Sequence, residues 1–244
     1  MKIIATIEAR MTSSRLPGKV LLPAAGKPML AHLVNRLRAV PSLQGMVIAT
    51  TTNKTDDVLE AFAQQMGIDC FRGSEEDVMR RVIGAAESVG ADVVVEITGD
   101  CPIIDPEIIE QAIRTFKVNH ADYVNNCHIQ SYPDGMAVQV FRLETLKRSA
   151  AMTDDALDHE HVTLHIRNNP KIFSQLHLVA PSDSHWPHLG LTLDEPMDYE
   201  LLKKIIEYFE PDHSLFSCRD VIELLKRKPD WVAINQAVVR KGDT

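Results

Sequence analysis

The chain has 244 residues, 45% hydrophobic and 25% charged, which suits one α/β domain able to bury a sizeable core. Its formal net charge of −8 argues against a general nucleic-acid binder, because phosphate backbones need surplus cations. No apolar run approaches the length of a membrane span. Cysteines stand at positions 70, 101, 127 and 218, with no CxxC and no paired zinc spacing, so reduced thiols and a cytoplasmic location are expected. Cys101 reads as a small space-filler.

The first 28 residues organise the rest. The apolar run Ile3–Ile7 predicts a buried strand, and Pro28 opens an apolar-periodic stretch (Met29, Leu30, Leu33, Val34, Leu37) that predicts a helix. Between them lies ARMTSSRLPGK, a hydroxyl-rich loop carrying Arg10, Arg15 and Lys19. A triphosphate concentrates several negative charges in a small volume, and such a loop can replace its water shell. The loop contains neither GxxxxGK(S/T) nor GxGxxG. In an acidic chain it forms a local basic site.

Strand–helix units then repeat. Gly45–Thr51 predicts a strand, and Thr55 or Asp56 can cap a helix to about Met66. Thr52 and Asn53, at the strand's carboxyl end, are candidates to read a base or ribose, or simply to form the turn. Ile68–Phe71 predicts a third strand; Arg72 and Ser74 after it are candidate base contacts. Glu75, Glu76 and Asp77 read as the acidic first turn of a helix to about Val89. Ala91–Thr98 is the clearest strand, buried on both faces. It runs into Gly99-Asp100, where parallel sheets bind ligands, whereas Asp105-Pro106 reads as a helix cap. This rhythm predicts a mostly parallel sheet.

The rhythm breaks after position 120. Ala121–Asn125 and Ala137–Phe141 predict strands joined by a stretch containing the turn signature Tyr132-Pro133-Asp134-Gly135. Helices are expected over Leu143–Ala150 and from about Asp154 to Arg167. The second would carry His161 and His165 on one face, without the HExxH pattern of a zinc site. Strands follow at Ile172–Val179 and Leu189–Leu193. Asp194 then precedes a helix over Met197–Phe209 that it could cap. A last helix, Ser217–Lys226, leads to a polar tail.

The loop ARMTSSRLPGK with LLPAAGKPML resembles the sugar nucleotidyltransferases, and most closely the cytidylyltransferases that activate acidic sugars, in which A-R-x-x-S-x-R-x-P-x-K wraps CTP. ITGDCPIIDPEII, DYVNN, SYPDGMAVQVF, DHEHVTLHIRNNP and LTLDEPMDYELL are similar, in order, to the spore-coat-polysaccharide type, related to the Kdo and sialic acid enzymes. The resemblance spans nearly the whole chain. It implies a Rossmann-like nucleotide-diphospho-sugar transferase fold, a single domain over 1–244, and a dimerisation and sugar-binding arm at about 126–190. It further implies a homodimer that makes a CMP-sugar and pyrophosphate from CTP and a sugar acid, for surface polysaccharide synthesis.

Carried over by motif, Arg10, Arg15 and Lys19 hold the triphosphate, flanked by Ala9 and Ser14. Asp100 and Asp194 hold Mg²⁺. Where the Kdo enzymes read QGDEP this chain reads TGDCP, so their sugar pocket does not transfer. Asn125, Tyr132, Asp134, Gly135 and Gln139 are candidates to line that pocket, and His159, Glu160 and His161 to close it; turn and arm packing competes for each. Two alternatives stand beside this reading. One is a nucleotidyltransferase using another NTP and a neutral sugar or sugar phosphate. The other is a non-catalytic nucleotide-binding protein.

Overall fold

The computed structural model describes residues 1–240. Strand β1 (Ile3–Glu8) feeds the basic loop, and a small hairpin, β2 (Pro23–Ala24) with β3 (Lys27–Pro28), leads to helix α1 (Met29–Arg38). Three more strand–helix units follow: β4 (Met46–Thr51) with α2 (Asp57–Met66), β5 (Asp69–Gly73) with α3 (Val78–Ser88), and β6 (Val93–Thr98) with α4 (Pro106–Val118). Next come β7 (Tyr123–Asn125), β8 (Gln139–Arg142), α5 (Leu143–Ala150), α6 (Ala156–Glu160), α7 (Leu164–Asn168) and β9 (Gln175–His177). Helices α8 (Pro196–Phe209), α9 (Cys218–Arg227) and α10 (Pro229–Val232) close the described chain.

The main sheet has seven strands in the order β5-β4-β1-β6-β8-β7-β9. All pairings are parallel except the two made by β8. The fold is therefore the expected α/β layer with a mostly parallel sheet. The period of two along each strand divides the core. Ile3, Ala5 and Ile7 of β1 join Val93, Val95 and Ile97 of β6 in a cluster with α1, α4, α8 and α9. Ile4 and Val94 join α3, α5 and α7 on the other face. Burying each such branched side chain stabilises the fold by about 1.5–3 kcal/mol. No helix of the described residues is long and apolar enough to cross a membrane.

Four local expectations change. Helix α3 starts at Val78, because Asp77 is the cap and accepts from Arg80 N at 2.9 Å; Glu75 lies outside the helix. The helix expected over 154–167 splits into α6 and α7, because Val162 adopts φ +45° between them. His161 and His165 thus share no helical face. Among the described residues no group of three or more His, Cys, Asp or Glu could hold a metal. The strand expected at Ile172–Val179 shortens to β9, and the Leu189–Leu193 stretch makes one isolated bridge, Asp134 with Gly190. The stretch 126–190 contributes β8 and β9 to the main sheet.

Candidate active site

The basic loop is closed on itself and pinned from two sides. Gly18 N donates to Met11 O at 2.9 Å. Met11 N donates to Asp56 Oδ1 at 2.8 Å, while Asp56 Oδ2 takes the hydroxyls of Thr50 and Thr51. Of the two cap candidates, Thr55 and Asp56, it is Asp56 that takes the N-cap position of α2, but its fully buried side chain makes no capping bond and faces the loop. Glu75 supplies the second pin. Its Oε1 accepts from Arg10 Nη1 at 3.1 Å and Thr12 Oγ1 at 2.8 Å, and its Oε2 from Asn53 Nδ2 at 2.6 Å. Those bonds, the Asn53 amide first, hold the Glu75 carboxyl below its ordinary range.

The far end of the loop meets the end of β6. Gly99 N donates to Glu8 O at 2.8 Å, and a Cβ at Gly99 would sit 2.7 Å from that same oxygen. Only glycine lets the two strand ends approach so closely and swing Asp100 over the loop. Lys19 Nζ then lies 2.8 Å from Asp100 Oδ2 and 2.9 Å from Asp194 Oδ1. Arg15 Nη2 reaches the same Asp194 oxygen at 3.0 Å. Burial opposes charge on Lys19, but the two carboxylates outweigh it and raise its pKa. Burial likewise opposes charge on Asp194, yet Lys19 and Arg15 hold its carboxyl below the usual range.

Asp194 is free for this work because Glu195 is the N-cap of α8, with Asp198 as its partner in a capping box. Asp198 Oδ2 accepts from the backbone N–H groups of Asp194 and Glu195 at 3.2 and 2.9 Å. The extended segment before it, Leu189–Asp194, alternates strictly. Leu189, Leu191 and Leu193 are buried, so Gly190, Thr192 and Asp194 share the polar face. Thr192 Oγ1 donates to Asp134 Oδ2 at 3.1 Å and accepts from Arg240 Nη1 at 2.6 Å. Arg240 Nη2 reaches the buried Asp198 Oδ1 at 2.8 Å. A Cβ at Gly190 would lie 1.7 Å from that nitrogen, so the missing side chain is the slot for Arg240.

The mostly parallel sheet that carries this edge is shared with proteins of known class. The cytidylyltransferase family profile matches residues 4–219. The chain belongs to the cytidylyltransferase family. It is 38% identical over 244 residues to the spore coat polysaccharide biosynthesis protein SpsF of Bacillus subtilis, covering 96% of this chain and 98% of that one. A cytidylyltransferase structure from Leptospira borgpetersenii is 31% identical, with a TM-score of 0.91 over 99% of both chains. An 8-amino-3,8-dideoxy-manno-octulosonate cytidylyltransferase from Shewanella amazonensis is 34% identical over 128 residues, covering 50% of this chain and 51% of that one.

The cytidylyltransferase brings Ala9, Arg10, Arg15, Lys19, Asp100 and Asp194 to one sheet edge. Ala9 is buried against β4 through its N–H to Ala49 O at 3.4 Å, and Ser14 is exposed on the loop. At the end of β4, Thr52 is exposed and Asn53 bonds Glu75. Arg72 cross-ties this corner: Nε donates to Thr51 O at 2.9 Å, Nη2 to Asn53 O at 2.8 Å, and Nη1 pairs with Asp57 at 2.7 Å. Ser74 Oγ accepts from Asp77 N at 3.0 Å.

A cavity of about 820 Å³ adjoins the polar face of the Leu189–Asp194 segment. Tyr132 and Asp134 line it, and its other charged walls are Arg167 and Arg240. Burial pushes the Asp134 carboxyl up; Arg240 opposes that, while Asp100 and Asp194 add to it. Asn125, Gly135, Gln139, His159, Glu160 and His161 are not on that wall. Asn125 Oδ1 accepts from the N–H groups of Cys127 and His128. Gly135 packs on the backbone of Leu191. Gln139 Oε1 takes the hydroxyls of Tyr123 and Thr163. His159, whose pKa is raised first by its bond to Asp77 and then by Thr153 O, bridges α6 to the cap of α3. Glu160 and His161 are exposed beside it.

Sequence reasoning missed Asp56, Glu75 and Arg240. The pair Ser74 and Asp77, spaced as a turn before a cap, was the available signal that Glu75 precedes the helix. Nothing local marks Arg240, whose partners lie 42 and 48 positions upstream.

Proposed function

We propose that this cytidylyltransferase uses CTP to activate an acidic sugar, giving a CMP-sugar and pyrophosphate for surface polysaccharide synthesis. The observation that carries the acidic acceptor is the cavity beside Asp134. Its charged walls are two arginines, Arg167 and Arg240, against one carboxylate, and His128 and His188 add polar rings. Such a wall favours an anion. The octulosonate named in one relative is a sugar acid, and SpsF is named for polysaccharide synthesis.

A sugar hydroxyl attacks the α-phosphorus in line, the bond to the β-phosphate oxygen breaks, and pyrophosphate leaves. No protein nucleophile is needed, so the chain's task is positioning and charge neutralisation. Arg10, Arg15 and Lys19 supply the cations. Asp100 and Asp194 fit Mg²⁺, which takes few protein carboxylates and completes its shell with water and phosphate oxygens. Both carboxylates lie within 2.9 Å of Lys19 Nζ, close enough to each other to share one cation, which supports this reading. Bound there, Mg²⁺ would neutralise phosphate charge and orient the attacking hydroxyl.

The same reading includes one domain, a cytoplasmic setting and a homodimer joined through the 126–190 region, where Ile129, Leu157, Ile172 and Val179 are exposed. Light scattering tests the dimer; a monomer at working concentration refutes it. A pyrophosphate-release screen tests the reaction, pairing each of four NTPs with sugar acids and neutral sugars. Release with CTP and a sugar acid alone is expected. Release with another NTP and a neutral sugar phosphate overturns the reading.

A further inference from the structure

We propose that Glu75 is a positioning residue for the nucleotide: it holds Arg10 and Thr12 of the phosphate loop, and Asn53 of the neighbouring strand end, in their binding arrangement before the nucleotide arrives. The proposal deepens the reading that CTP is the donor, and rests on it. Three polar side chains from two separate segments converge on one carboxylate, at 3.1, 2.8 and 2.6 Å. Arg10 and Thr12 come from the loop after β1, and Asn53 from the end of β4. Asp56 also ties the loop to β4, but it takes a backbone N–H of the loop, at Met11, where Glu75 takes the side chains of Arg10 and Thr12.

The carboxylate is itself held firmly. Arg81, buried on α3, donates through Nη1 to the carbonyls of Ser74 and Glu75. Ser74 Oγ takes Asp77 N, and Asp77 caps α3. The backbone of the 74–77 turn is thus tied to the helix on both sides, and the Glu75 side chain is left to project back over the loop. Glu75 lies before the cap of α3, and its side-chain bonds go to the loop and to Asn53.

Arg10 is 46% exposed, so without a partner its long side chain would sample many rotamers. Ordering it in advance moves that entropic cost from binding to folding. A carboxylate near a phosphate site also repels the ligand. That repulsion is screened here, since Glu75 is 37% exposed and stands in reach of solvent ions. One guanidinium has five donors in a fixed fork, so Arg10 can keep Glu75 and still turn an edge to a phosphate. Positioning therefore outweighs repulsion.

The test compares wild type with Glu75→Ala and Glu75→Gln. Hydrogen exchange of the nucleotide-free proteins reads the loop directly: amides of residues 10–15 are expected to exchange at least tenfold faster in Glu75→Ala, with the melting temperature held within a few degrees. Unchanged exchange overturns the proposal whatever the nucleotide. Calorimetric titration with MgCTP is the second arm. Affinity is expected to fall about tenfold in Glu75→Ala and by less in Glu75→Gln, which still accepts from Arg10 and Thr12 and lets Asn53 flip its amide to match. Equal or tighter binding by Glu75→Ala identifies the carboxylate as a stand-in for phosphate and overturns positioning. If wild type itself takes up no CTP, the donor assignment fails, and the exchange arm still decides the role of Glu75.

Discussion

Lys19 Nζ stands 2.9 Å from Asp194 Oδ1 across 175 positions of sequence. One ammonium neutralises the acid that ends the Leu189–Asp194 segment and the acid that follows β6. Under the proposed function Lys19→Ala removes a triphosphate contact; it also takes the shared ammonium from between the two aspartates and leaves Asp194 with Arg15. Losing a charged contact of this kind costs about 2–3 kcal/mol, so catalytic efficiency with CTP should drop about 30- to 150-fold. Arg15→Ala, which removes a cation from Asp194 but leaves Lys19 in place, should fall in the same range. Steady-state kinetics with circular dichroism melts check both; unchanged efficiency in both variants refutes the assigned loop.

Asp194 and Asp198 separate chemistry from capping. Asp198 is fully buried and accepts from two backbone N–H groups, Asn235 and Arg240. Asp198→Asn should destabilise the fold by about 3 kcal/mol, because it breaks a buried ion pair. Asp194→Asn and Asp100→Asn should melt near wild type and lose nearly all Mg²⁺-dependent pyrophosphate release. A large stability loss in Asp194→Asn with retained turnover would return it to the capping role.

The frame was legible because burial on two faces forces β1, β4 and β6 into continuous apolar runs. The extended Leu189–Leu193 stretch was legible for a different reason, since burial on one face alternates its leucines with polar positions, although it pairs through a single bridge. Charge density in an acidic chain marked Arg10, Arg15 and Lys19. What stayed hidden was any role whose partner is remote. Glu75 matched a helix-dipole pattern that Asp77 in fact fills. Asp56 matched a cap, yet its side chain serves Met11 N, 45 positions upstream. The split between α6 and α7 hangs on one backbone angle at Val162, which no propensity for a β-branched residue foretells.

Arg240 and Gly190 form one structural unit, and their substitutions should not add. Gly190→Ala places a methyl in the guanidinium slot, and Arg240→Ala empties it. Each should cost about 1–3 kcal/mol through the lost bonds to Thr192 and Asp198. The double variant should be little worse than either, a coupling that urea denaturation of all four proteins measures. Simple additivity would mean that the slot does not hold Arg240 in solution. Asp134 loses its cation in each variant, so under the proposed function acceptor KM should rise while CTP KM holds.

Beneath the same sheet edge, Glu8 and Glu96 point to the α3 face, as Thr6 does. Glu8 Oε1, Glu96 Oε2 and Thr6 Oγ1 are buried without a hydrogen-bond partner among the described residues. Burial pushes the Glu8 carboxyl up to about 8 despite the opposing Arg81, and raises Glu96 well above its ordinary value. Folding therefore favours the protonated acid. Below the unfolded value of 4.5 both states carry the proton and nothing is lost. Between that value and about 8 the unfolded chain releases a proton that the folded chain retains, so stability falls as pH rises, at up to about 1.4 kcal/mol per unit. Above about 8 the loss levels off. Glu8→Gln keeps the shape and removes the titration. Its stability relative to wild type should increase steadily from pH 5 to pH 8 in urea unfolding, roughly as that linkage slope requires. A constant difference across the window would show that Glu8 is ionised in the folded protein at neutral pH.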